Sequence, residues 1–344
     1  MRRRLRQLGY EVGRFPTGRF NAIVDVPDVR VGHATVDGIH TGVTAVLPHG
    51  GNPFADKVLA ACHVVNGFGK TTGLTQLEEL GTLESPLLLT STVSVGPVWE
   101  GGLRWLLELN PEAARDRDTM NVVVAECFDG WLGDGRGLHI RAEHALDAIA
   151  AASRDESAEG SVGAGAGTTC FGFKAGVGGS SRRAGGATLG CLVLANYGRA
   201  GDRHLLAGAP VDGPPADAGS AIVLLATDAP LSERQLRRLA ARGTFGLGRA
   251  GSIASSGSGE YVIAFSTAHR IPHRLDASYA DFRFLRDDSP ELRELFEAAV
   301  EVTHEAILNS LCSADAAEGR DGHRVEALPY ELLERLPWVR RSGA

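Results

Sequence analysis

The sequence predicts one α/β domain whose sheet layers are covered by helices. Three observations carry that expectation. Short apolar runs alternate with Gly-rich turns along the chain. A few segments carry helical apolar spacing with capping residues at their ends. Neither an internal repeat nor a flexible interdomain linker divides the 344 residues. Gly occurs 44 times, above average usage, which favours tight turns and close backbone approaches over long helices.

The strand candidates, in chain order, are residues 22–26, 43–47, 87–89, 122–125, 188–195, 221–227 and 261–266. Each is an apolar run bounded by Gly, Pro, Asp or Asn, which interrupt extended pairing. A helix rich in Ala and Ile is expected over 141–153. A second is expected over 230–243, with Ser232 as N-cap and Gly243 at its end. The longest starts at Ser289 as N-cap, with Pro290 in the first helical position. Its Leu292, Leu295, Phe296, Ala299, Val302, Ala306 and Leu311 follow helical spacing. Residues 154–167 and 198–218 are small and polar or rich in Gly, Pro and Asp, and read as surface loops.

Composition narrows the function. A net charge of −7 gives no electrostatic footprint for nucleic acid. No run approaches the roughly 18 apolar residues that span a bilayer. The basic start "MRRRLRQLGYEVGRF" lacks the apolar stretch of a signal peptide, so a cytoplasmic protein without membrane contact is expected. Cys62, Cys127, Cys170, Cys191 and Cys312 are scattered, with no C-x-x-C pair, and read as reduced, mostly buried thiols.

Several motifs promise more than their context allows. Gly246, Gly248 and Gly251 have G-x-G-x-x-G spacing, yet a dinucleotide loop follows a strand and opens a helix. Here the expected helix precedes and the expected strand follows. "GFGKTTG" resembles half of a phosphate loop, but Val64 stands where its first Gly is required. His269 and His273 are four apart, and Pro272 prevents the helix that would align them. His139 and His144 are five apart and point to different sides of a helix. No metal site or cofactor is expected.

"GLGRAGSIASSGSGEYVIAFST" (246–267) poses the chemical question. Its plainer reading is a Ser/Gly loop before a strand. A serine hydroxyl is a weak nucleophile and needs a base, yet there is no G-x-S-x-G elbow and no histidine in triad context. One alternative is a base within the same residue. If the bond before Ser252 is cut, Ser252 gains an α-amine with a pKa of about 7.7–8.0, partly neutral at working pH. That amine can take the hydroxyl proton, as in N-terminal threonine nucleophiles. The chain can make this cut itself, with the Ser252 hydroxyl attacking the Gly251 carbonyl and water hydrolysing the ester. Gly251 lacks a Cβ, which permits strained backbone and unhindered attack.

The ordered segments "VPDVRVGHATV", "TGVTAVLPH", "VNGFGKTTGLTQLEELG", "LLLTSTVSVG", "VVAECFDGWLGD", "GFKAGVGGSSR", "LANYGR", "LLATDAPLSERQLRRLAARGTFGLGRAGS", "SGSGEYVIAFST" and "THEAILNSL" span nearly the whole chain. Together they resemble the L-aminopeptidase/D-Ala-esterase/amidase family, which includes β-peptidyl aminopeptidases. The resemblance implies an α/β/β/α sandwich, layered like N-terminal-nucleophile hydrolases but differently connected. It implies one catalytic domain over 1–344, self-cleaved at Gly251-Ser252 into associated chains 1–251 and 252–344, with Ser252 as nucleophile. Asn196, at a strand end, matches the family's oxyanion-hole asparagine; a turn residue is the plainer reading. Glu126 matches the carboxylate that holds the substrate's free ammonium, against a structural ion pair. Ser289 and Glu291 have the S-x-E spacing of the family's auxiliary catalytic pair, and also suit a helix cap with an acidic first turn. Phe128 stands in the substrate-binding region where members often carry Tyr, so oxyanion binding would rest on Asn196 and backbone N–H groups.

The activity so implied is a serine aminopeptidase acting on short peptides, amides or esters with a free amine, in a homo-oligomer of processed units. Two alternatives remain. One is acyl transfer to an amine, as in the related ornithine acetyltransferases. The other is an uncleaved, non-catalytic relative that binds small amines or peptides.

Overall fold

The computed structural model describes residues 2–115, 118–198, 202, 219–274 and 277–343. Among the described residues ten strands form two sheets. They are β1 (Arg30–Val36), β2 (Thr41–Leu47), β3 (Asp56–Gly67), β4 (Thr82–Leu83), β5 (Leu87–Ser91), β6 (Val123–Cys127), β7 (Val177–Ala184), β8 (Ala187–Asn196), β9 (Gly219–Thr227) and β10 (Ser258–Pro272). The larger sheet runs β7-β8-β9-β10-β3-β4, antiparallel except for the parallel β9–β10 pair. The smaller runs β1-β2-β5-β6, with β5 and β6 parallel. Short two-stranded ladders lie outside both, one pairing Tyr10–Val12 with Val339–Arg341.

Among the described residues the α-helices are α1 (Leu74–Leu80), α2 (Val95–Leu109), α3 (Ala142–Ala150), α4 (Glu233–Arg249) and α5 (Pro290–Cys312). Side-chain alternation in the strands sorts the core into three slabs. Ala221, Val223 and Leu225 of β9 face the slab shared with α4 and α5. Ile222, Leu224 and Ala226 face the slab between the sheets. Val43, Ala45 and Leu47 of β2 face a third slab beneath α2 and α3. The molecule is therefore the expected α/β/β/α sandwich, with both faces of each sheet buried.

Six of the seven expected strands are present, most of them longer than expected. The exception is 22–26, where Ile23–Asp25 form a 3-10 turn. The Asp25 carboxylate accepts the N–H groups of Phe20 and Ala22, at 2.9 and 3.0 Å, and so competes with extended pairing. The helix expected over 230–243 begins after its Ser232 cap but continues through Gly243 to Arg249. Its glycines serve packing. A Cβ at Gly246 would stand 2.5 Å from the Thr303 Cβ of α5. The third expected helix is the shorter α3, and α5 starts at Pro290 with Ser289 as its cap. All but a few residues of the loop read over 198–218 lie outside the described residues. All five cysteines are buried and unpaired. No helix among the described residues is long and apolar enough to cross a membrane.

Candidate active site

Helix α4 ends in a cap that places Gly251-Ser252. The Ser252 N–H donates to the Leu247 carbonyl at 3.0 Å, and the Gly251 N–H donates to Gly248 at 3.0 Å. Gly251 has φ +83°, the left-handed conformation this double cap requires. The same glycine therefore satisfies both readings, helix terminator and unhindered carbonyl. Three residues on, Ala254 has φ +48°, a strained conformation for a residue with a Cβ.

The cap aims the Ser252 side chain at the start of β10. Its hydroxyl donates to Oε1 of Glu260 at 2.7 Å and accepts the Ala254 N–H at 3.2 Å. The Ser258 hydroxyl donates to the same carboxylate oxygen at 3.2 Å. Glu260 is 1% exposed, and its second oxygen has no hydrogen-bond partner among the described residues. Burial pushes the Glu260 carboxyl above its ordinary range, while the Ser252 and Ser258 hydrogen bonds hold it back. A buried carboxylate on a serine hydroxyl is positioned to take its proton.

A strap at the end of β3, residues 66–70, joins this cluster to Glu126. The Asn66 side-chain amide donates to the Ser255 carbonyl at 3.0 Å and to the carbonyls of Ser256 and Ser258, which fixes the loop after Ser252. Gly69 lies against the Tyr261 ring, where a Cβ would stand 2.7 Å away. The Lys70 N–H then donates to Oε1 of Glu126 at 2.8 Å. The Thr92 hydroxyl donates to the other carboxylate oxygen. Glu126 sits at the end of β6, 3% exposed, and among the described residues no cation pairs with it. A carboxylate has about four lone-pair sites, so two donors leave room for a cation.

Asn196 closes β8 opposite Ser220 of β9, which in turn pairs with Gly259 beside Glu260. Its amide oxygen accepts the Thr169 N–H at 3.0 Å, and its amide nitrogen donates to the Phe128 carbonyl at 2.8 Å. One N–H of that amide remains. The next residue, Tyr197, donates its hydroxyl to the Ala250 carbonyl at 3.2 Å, joining the end of β8 to the cap. Phe128 is half exposed and contributes its carbonyl to Asn196.

Five of the site residues read from the sequence thus gather at one end of the two sheets: Gly251, Ser252, Asn196, Glu126 and Phe128. Ser289 and Glu291 do not. Gln235 and Arg234, at the start of α4, bind Leu285 and Asp287, which places Ser289 near that end. Ser252 follows the other end, and a 17-residue helix is about 25 Å long. Ser289 accepts the Leu292 N–H at 3.2 Å as the α5 cap, and Glu291 is exposed in the first turn. The S-x-E pair beside the nucleophile is Ser258 and Glu260. The signal was present in "SGSGE". Two residues apart on a strand share a face, whereas at a helix start they diverge.

Among the described residues no group of three or more His, Cys, Asp or Glu could hold a metal ion. His273 is engaged with Lys57 at 2.8 Å and Asp118 at 3.3 Å.

Residues 21–325 match the family described as peptidase family S58. The chain is 37% identical over 379 residues to the β-peptidyl aminopeptidase BapA of Sphingosinicella microcystinivorans, covering 99% of this chain and 93% of that one. It is similar in structure to a Burkholderia sp. β-aminopeptidase, with a TM-score of 0.88 and 39% identity over 98% of this chain and 99% of that one. It is also similar to the L-aminopeptidase D-Ala-esterase/amidase of Ochrobactrum anthropi, with a TM-score of 0.86 and 35% identity over 97% and 99%. That enzyme is described as a prototype serine aminopeptidase and a variant of the Ntn hydrolase fold.

Proposed function

The chain belongs to peptidase family S58 and is a hydrolase, and from that premise we propose a self-processing aminopeptidase whose nucleophile is Ser252. One observation carries the reading. The left-handed cap at Gly251 delivers the Ser252 hydroxyl to a buried carboxylate 2.7 Å away, directly beside the carbonyl it would attack.

Maturation begins when Ser252 Oγ adds to the Gly251 carbonyl carbon and its proton passes to Glu260. The Gly251–Ser252 C–N bond breaks, and Glu260 returns the proton to the departing nitrogen. Gly251 is then an ester on Oγ, and Ser252 bears a free α-amine. Water hydrolyses the ester, leaving chains 1–251 and 252–344. The uncapped oxygen of Glu260 is an acceptor for the new ammonium.

Turnover reuses the hydroxyl. A short peptide, amide or ester places its free ammonium on Glu126. Ser252 Oγ adds to the carbonyl, its own α-amine takes the proton, and the remaining Asn196 N–H stabilises the oxyanion. Loss of one such donor typically costs about 3–4 kcal/mol of transition-state stabilisation. The amine leaves with the proton, and water releases the acid from the acyl-enzyme. The relatives' descriptions as β-peptidyl and L-aminopeptidases support a substrate with a free amine. A homo-oligomer of processed units belongs to the same reading.

Intact mass under denaturing conditions tests it, on wild type and Ser252→Ala. Two wild-type fragments that break at Gly251-Ser252 and sum to the precursor plus one water are expected, with a single mass in the variant. An active wild type with one uncut mass would sink the N-terminal-nucleophile mechanism.

A further inference from the structure

Lys174 has 0% exposure, and its ammonium is spent on the protein's own backbone. Nζ donates to the Gly165 carbonyl at 3.0 Å and to the Ala175 carbonyl at 2.6 Å. These two carbonyls bracket one turn. Inside it the Ala175 N–H donates to Thr168 at 3.2 Å, and Thr169 pairs with Lys174 in a short ladder. The free face of that ladder is the Thr169 N–H that holds the Asn196 oxygen. The Lys174 N–H donates to Glu326 at 2.8 Å, which fixes the turn from behind.

The other anchor of Asn196 is the Phe128 carbonyl, and the next residue is Asp129. Asp129 is 2% exposed, and the Ser91 hydroxyl donates to its Oδ1 at 2.7 Å. Its Oδ2 is buried without a hydrogen-bond partner among the described residues. Gly167 brings the Lys174 turn onto this segment. A Cβ there would stand 2.9 Å from the Asp129 Cβ. Burial pushes the Lys174 ammonium down to about 7, and the Asp129 charge is what favours its charged form. Burial likewise raises the Asp129 carboxyl. The two buried groups stand on the two backbone segments that grip one amide, Lys174 tied to the Gly165 and Ala175 carbonyls and Asp129 to the Ser91 hydroxyl.

We propose that Lys174 and Asp129 are positioning residues that clamp the Asn196 amide from both sides and aim its remaining N–H for turnover. The assignment rests on Asn196 as the oxyanion donor. Neither residue touches substrate. Lys174 sets the Thr169 N–H, Asp129 sets the Phe128 carbonyl, and the amide follows both. A donor displaced by about 1 Å costs on the order of 10²-fold in rate.

The test uses the full chain carrying Lys174→Met, Asp129→Asn or Asn196→Ala. Each is assayed on an aminoacyl amide with a free amine, with the mature fraction counted by intact mass and the thermal midpoint recorded. For Lys174→Met, kcat is expected to fall on the order of 10²-fold. KM should stay within about threefold, because the Glu126 anchor is not involved. Asp129→Asn should fall in the same sense by less, since its packing is retained. A Lys174→Met chain that matures and keeps the wild-type kcat overturns the clamp. So does one that keeps the wild-type thermal midpoint yet no longer matures, because the clamp is assigned to turnover. Should Lys174→Met fail to fold, a wild-type kcat in Asp129→Asn overturns it. An Asn196→Ala chain with wild-type kcat removes the premise instead, and so separates the two failures.

Discussion

Among the described residues one carboxylate lies within hydrogen-bond reach of the Ser252 hydroxyl, and its surroundings decide what it can do. Glu260 is buried, shares its oxygen with Ser258, and has its proton affinity raised by burial. It is a better base than a surface glutamate, and it touches the proton that moves in the proposed mechanism. Glu260→Gln keeps the shape and removes the base. General-base catalysis contributes about 10²–10⁴-fold, so the half-time of self-processing should lengthen by at least about 10²-fold. A time course of intact mass reads it, and wild-type processing in Glu260→Gln would exclude Glu260 as the proton acceptor. At this scale the sequence was legible where chemistry and position coincide. Gly-Ser before a strand, an Asn closing a strand and a Glu emerging from an apolar strand all lie where they were expected. It was misleading where one spacing fits two elements. The S-x-E of Ser289 is a helix cap, whereas the S-x-E of Ser258 lies on a strand, which puts both side chains on one face beside Ser252.

The element that carries Ser252 is a helix terminus, so its stability depends on one backbone conformation. Gly251→Ala forces a Cβ into the left-handed region at φ +83° and weakens the double cap on Leu247 and Gly248. A left-handed residue other than Gly costs roughly 1–2 kcal/mol. In a Ser252→Ala background, which the proposed mechanism leaves uncut, the urea unfolding free energy should drop by about that amount. No change would mean that the cap relaxes into another conformation. Elements were legible where apolar runs are pure. β8, β9 and the core of β10 were visible because both faces are buried and the runs are continuous. β7 was not, since "VGGSSRRA" looks like a loop. Its polar side chains are satisfied internally: Ser180 donates to Val302 at 2.6 Å, and Arg182 lies between Glu301 and Glu305. α2 was hidden by its own glycines. They let α3 approach so closely that a Cβ at Gly101 would stand 2.4 Å from the Ala142 carbonyl.

Across the whole molecule, α5 is held to the larger sheet and to the N-terminal segment by buried charge. Arg182 pairs with Glu301 at 2.8 Å and Glu305 at 2.5 Å, and Arg6 reaches Glu305 at 2.8 Å. Burial alone would raise the Glu305 carboxyl, but Arg182 and Arg6 hold it below its ordinary range. Beside it His304 is 1% exposed, with Nδ1 unpartnered among the described residues, and burial pushes its ring down to about 4. Both folded pKa values are depressed. Their contributions are complete above the unfolded values and are lost as pH falls towards the folded ones. For His304 the window runs from about 6.5 down to about 4. At about 1.4 kcal/mol per unit it is worth up to about 3 kcal/mol. Glu159 works in the opposite sense, since burial raises it to about 7, so its contribution fades as pH rises through that value. Between pH 6.5 and 4 the His304 loss and the Glu159 gain oppose one another, so the His304 contribution is read as the wild-type urea unfolding free energy minus that of His304→Phe, a difference that should decline over this window. His33, also pushed down to about 4 by burial, and Glu159 titrate in both chains and cancel in that difference. If His304→Phe loses stability over the same window with the same slope, the acid sensitivity belongs to another group, and the buried imidazole is neutral without consequence for the fold.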